Sequence, residues 1–91
     1  MQLGTNAAKA PINPGTYNDI LNIVGNAPNF SIDGQWYSMN VLPDPMSPKN
    51  SIDISFHPTV PITDERELLG IVTQRLSGLL TGPVVLQIDH E

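Results

Sequence analysis

Residues 51–82 read SIDISFHPTVPITDERELLGIVTQRLSGLLTG, and the hydrophobic period changes once along them. Through Ser51-Ile52-Asp53-Ile54-Ser55-Phe56-His57, apolar and polar residues alternate strictly. Ile52, Ile54 and Phe56 share one side while Ser51, Asp53, Ser55 and His57 share the other, the pattern of a strand buried on one face. Beyond Pro58 and Pro61, at about 100° per residue, Leu68, Leu69, Ile71, Val72, Leu76, Leu79 and Leu80 fall on one half of a helix. Arg66, Glu67, Gly70, Thr73, Gln74 and Ser77 fall outside it. Thr63 is the expected N-cap, and Asp64, Glu65 and Glu67 suit the positive end of the helix dipole. Gly82-Pro83 stops the helix. A half-buried strand followed by one amphipathic helix predicts an α+β fold, with one helix laid on a sheet.

Moving outward, Pro43-Asp44-Pro45-Met46-Ser47-Pro48-Lys49-Asn50 reads as a loop, because three prolines remove three backbone donors. Before it, Phe30-Ser31-Ile32 and Gln35 to Leu42 flank Asp33-Gly34, which predicts a two-residue hairpin turn with positive φ at both central residues. Tyr37, Met39 and Val41 take the apolar face of its second strand, and Trp36, Ser38 and Asn40 the other. Tyr17 to Val24 fits two templates. The β-branched Ile23-Val24 and the short length favour a strand, although Tyr17, Ile20, Leu21 and Val24 also sit at helical spacing. Met1 to Gly15 is small and polar and ends in Asn13-Pro14-Gly15, so residues 1–15 read as a flexible or extended arm and 16–91 as a single domain. Pro83 to Glu91 suits either a strand or a short helix.

The composition narrows the function. Ninety-one residues make one domain, nine prolines and seven glycines forbid a helical bundle, and the absence of cysteine excludes disulfide staples and a zinc-thiolate centre. Only 14% of residues are charged, against roughly 25% in an ordinary soluble domain. So sparse a charge predicts that part of the surface is covered by another chain. No run is long enough to span a membrane, and Met1 to Ala10 lacks the make-up of a signal peptide. Lys9, Lys49, Arg66 and Arg75 are scattered, and with a net charge of −5 the composition alone does not propose nucleic acid as a partner.

No catalytic constellation stands out, and no metal or cofactor is implied. Asp89-His90-Glu91 reads as a solvated tail before it reads as an acid–base group. His57 has no second histidine near it in the sequence for metal binding, and Gly25, Gly34, Gly70 and Gly78 lie in no phosphate-binding pattern. The protein is therefore expected not to be an enzyme. Trp36, on a polar strand face, reads equally as a platform for stacking a base and as cover for a partner or sheet edge.

The order of elements carries more information. Gln35 to Pro45, Ser51 to Phe56, Thr63-Asp64-Glu65-Arg66, Leu68, Leu76, Leu79-Leu80 and Pro83 together resemble the C-terminal strands and first helix of the coat proteins of single-stranded RNA bacteriophages, the levivirus group. The resemblance implies an antiparallel sheet with a C-terminal helix, or two, packed on one face, and an intertwined homodimer in which sheets join edge to edge and each helix reaches over its partner. It further implies a second short helix opening at Pro83, assembly of dimers into an icosahedral shell in the bacterial cytoplasm, and a helix-free sheet face turned inward onto RNA. Leu68, Leu69, Val72, Leu76, Leu79 and Leu80 then pack the core and dimer. Trp36, Ser38, Asn40, Lys49, Ser51, Asp53 and Ser55 become the RNA-facing residues, since hydroxyls, amides and an indole suit unstacked bases. The competing expectation is a small dimeric α+β interaction module, an inhibitor or adaptor, that forms no shell.

Overall fold

The computed structural model describes residues 4–58 and 62–89. In chain order the elements are β1 (Gly4–Pro11), α1 (Tyr17–Asn26), β2 (Asn29–Ile32), β3 (Gln35–Pro43), β4 (Ser51–His57), α2 (Glu65–Arg75) and β5 (Val85–Asp89). The five strands form one sheet in the order β2-β3-β4-β1-β5, with every neighbouring pair antiparallel. The α+β expectation holds at that level.

The local chemistry accounts for most boundaries. The hairpin between β2 and β3 turns on Asp33 at φ +53° and Gly34 at φ +79°, the doubly positive turn that Asp-Gly tolerates. Strand β4 alternates as read, burying Ile52, Ile54 and Phe56 to 1% exposure or less. Helix α2 is shorter than its leucine pattern suggests. Its N-cap is Asp64, not Thr63, with the carboxylate accepting the Glu67 N–H at 3.1 Å. It ends at Arg75, and Gly78 at φ +85° takes the left-handed conformation, which turns the chain away. Leu79 and Leu80 thus lie beyond the helix, where the Leu79 carbonyl accepts the Asn13 N–H at 3.0 Å and Leu80 bridges to Ile12.

Three further expectations are corrected. Tyr17–Asn26 is a helix, because Ile20 and Val24 supply a buried stripe at helical spacing and outweigh the β-branched pair. Residues 4–11 are no arm: β1 sits inside the sheet, pairing Ala8 with Ile54 on one side and Leu86 on the other. Its inward side chains, Ala8 and Ala10, are buried, as is Ile12 just beyond. Residues Met1 to Leu3 of the expected arm lie outside the described residues. Finally, the segment after Pro83 is strand β5 and not the second helix that the family resemblance implies.

One hydrophobic cluster joins these elements. Phe30, Tyr37, Met39, Val41, Ile52, Ile54 and Phe56 of the sheet meet Ile20 and Val24 of α1 and Leu68, Val72 and Leu76 at α2. Phe30 anchors it, stacked on Tyr37 at 5.6 Å between centroids and edge-on to Phe56 at 5.8 Å. Of the six leucine and valine positions assigned to packing, Leu68, Val72 and Leu76 are fully buried, Leu79 and Leu80 are half-buried against the cluster, and Leu69 is 38% exposed.

Candidate functional site, the uncovered sheet face

The register lays out the face opposite this cluster row by row. Leu42, Asp53, Lys9 and Val85 form one row across β3, β4, β1 and β5. The next is Asn40, Ser55, Ala7 and Gln87, and beyond it lie Asn29, Ser38 and His57. Ser31 and Trp36 close the far corner. Strand geometry explains why these residues share a face: each alternates with a buried neighbour.

Trp36 stands out with 64% of its surface exposed, and Leu42 and Val85 are 57% and 58% exposed at the opposite end. Between them Asn40 is exposed, while Ser38, Ser55 and Asp53 are half-buried. Ser51 is half-buried as well, its hydroxyl donating to the Ala10 carbonyl at 3.3 Å. Six of the seven residues expected to face RNA thus sit on the strands of one sheet, five of them in the rows just described. Ser51 is at the end of β4 opposite Pro11, and Lys49 is exposed in the β3–β4 loop.

The charged groups are few and tied together. Lys9 Nζ lies 3.9 Å from Asp44 Oδ2 and 3.8 Å from Asp53 Oδ1. Asp44 is nearly buried, and its other oxygen accepts the Met46 N–H at 2.9 Å, which pins the proline-rich loop. Among the described residues no enclosed pocket is present and no group of three or more His, Cys, Asp or Glu side chains is placed to hold a metal. No described helix is long and apolar enough to cross a membrane. His90 and Glu91 of the C-terminal Asp-His-Glu lie outside the described residues.

Lys9, Asn29, Ser31, Leu42, Val85 and Gln87 were not assigned to the face from sequence. For Lys9 the signal was there: Ala8 and Ala10 flank it, and small residues alternating with a lysine are a weak strand pattern, easily read as a loose arm. The chain matches no family model, no characterised protein and no solved structure among those compared with it.

Proposed function

We propose that this chain is the coat subunit of a single-stranded RNA virus of bacteria, working by self-association and RNA contact, not by catalysis. The observation that carries this reading is the one-sided sheet: helices and core on one face, and on the other a low-charge surface of hydroxyls, amides and an exposed Trp36. Such a surface suits bases displayed outside a helix. The motif order from Gln35 to Pro83 supplies the family. In this proposal two copies join through the open edges of the sheet, β2 or β5, because an unpaired strand edge is a template for a second chain. Dimers then close into a shell in the bacterial cytoplasm, bringing many weak RNA contacts to bear at once.

A specific observation favours the second reading, a small interaction module without a shell. Leu68, Val72 and Leu76 are fully buried within one chain, so α2 needs no partner to complete its packing, and β5 stands where the coat family has a further helix. Expression in bacteria, gel filtration and negative-stain electron microscopy separate the two. Uniform hollow spheres containing nuclease-protected RNA support the coat. A stable species of two chains or fewer at high concentration overturns it and leaves the module.

A further inference from the structure

The sheet ends in β2 on one side and β5 on the other, and the two edges are not alike. Next to β2 the Met39 N–H donates to the Pro28 carbonyl at 2.8 Å, so Pro28, Phe30 and Ile32 turn their backbone groups to β3, and Asn29 and Ser31 turn theirs outward. The outward carbonyl of Asn29 is already taken. Arg75 donates to it at 2.8 Å and to the Ala27 carbonyl at 2.6 Å, and its guanidinium lies over the Phe30 ring. Only Ser31 keeps both of its backbone groups, too little to hold another strand.

Strand β5 has no such guard among the described residues. Val85 is 58% exposed, and Leu86 is partly buried against the core cluster. Residues 85–88 read Val-Leu-Gln-Ile and bear no charge, so two copies of a chain with net charge −5 can meet along them. An antiparallel two-fold centred on Gln87 sets Leu86 opposite Ile88 of the second copy and Val85 opposite its Asp89. Each Asp89 then enters the row of the other copy's Lys9 and Val85, facing an opposite charge and not its own symmetry mate.

We infer that Arg75 closes the β2 edge and that a second copy of this chain adds at β5, strand to strand about a two-fold at Gln87. The inference rests on the self-association proposed above and holds for a shell or a shell-free module. The family resemblance does not imply it, since a coat chain is expected to turn into a helix at Pro83 where this one makes β5.

The chain has no cysteine, so a single introduced one reports only contact between copies. Opposite residues of an antiparallel pair have Cα atoms about 4.5–5.5 Å apart, a separation that a disulfide spans. With oxidised glutathione, Gln87→Cys is expected to become mostly covalent dimer on a non-reducing gel, and Ser31→Cys, at the β2 edge, less than about a tenth as much. Both positions are exposed, so neither change disturbs the core. In sedimentation equilibrium Gln87→Lys, which sets two ammonium groups face to face, weakens the dimer about tenfold or more, and Ser31→Lys leaves it unchanged. Adding Arg75→Ala to Ser31→Cys raises its cross-linking; unchanged cross-linking in a folded protein overturns the guard. Because Arg75→Ala also costs stability, its thermal unfolding is checked first, and the comparison of Gln87→Cys with Ser31→Cys decides without it. Cross-linking at Ser31 that equals or exceeds that at Gln87, or an undiminished Gln87→Lys dimer, overturns the β5 seam and leaves the coat reading standing. A wild-type protein that stays a single chain at high concentration overturns both.

Discussion

Arg75 shows how much one side chain can organise. It closes α2, yet its guanidinium donates to the carbonyls of Ala27 at 2.6 Å and Asn29 at 2.8 Å and lies over the Phe30 ring at 5.8 Å. A planar fork with several donors holds two carbonyls and a ring face at once, which an ammonium cannot do. It thereby fixes the passage from α1 into β2. Hydrogen bonds to a charged group contribute about 1.5–3 kcal/mol each when well formed, and these are partly open to solvent, so Arg75→Ala is expected to cost about 2 kcal/mol. Arg75→Lys is expected to recover less than half of that. Urea unfolding of the three proteins measures both, and equal midpoints would mean that the contact is passive. None of this was legible beforehand, because an arginine at a helix end already has a sufficient local explanation in the dipole.

At the scale of elements, legibility followed the strength of each period. Strand β4 and the Asp33-Gly34 turn were readable because several residues agree: Ile52, Ile54 and Phe56 alternate with polar partners, and both turn residues tolerate positive φ. The end of α2 was not, since Leu76, Leu79 and Leu80 continue the apolar stripe while Gly78 leaves the helix. Segment Tyr17–Asn26 failed for the opposite reason: propensity favoured one answer and the contacts of Ile20 and Val24 with the core favoured the other. The same logic separates two adjacent leucines. Leu68 is fully buried and Leu69 is 38% exposed, so Leu68→Ala is expected to cost about 2–5 kcal/mol and Leu69→Ala less than about 1 kcal/mol. Thermal unfolding of the two variants checks this. A comparable loss for Leu69 would place that side chain in an interface with another copy, the role given to it from sequence.

For the whole molecule, the decisive difference between sequence and structure is the place of β1. Ala7, Ala8 and Ala10 hold no hydrophobic signal strong enough to predict a strand, yet β1 pairs with β4 and β5 along most of its length. Backbone pairing on both sides, with only small alanine side chains to bury, makes it an interior strand of the sheet. Hydrogen exchange followed by mass spectrometry is expected to show slow exchange across residues 7–10 and in β4, with faster exchange in the edge strand β2. Rapid exchange throughout residues 7–10 would restore the arm. On β3 and β4 the alternation named Trp36, Ser38, Asn40, Asp53 and Ser55 and missed Leu42, whose apolar side chain is not expected on a polar face. It was illegible wherever it depended on β1 and β5, because a face shared by five strands cannot be assembled until the strands themselves are recognised.

The strand order also has a consequence for synthesis. Ala7 is made early, but its partners Ser55 and Gln87 emerge much later, and non-local pairing of this kind is slow to close. Until residues 85–89 have been made, β1 can pair with β4 but its other side has no partner in the chain. The central strand of the finished sheet is thus an edge during synthesis, and an open edge is a template for other strands.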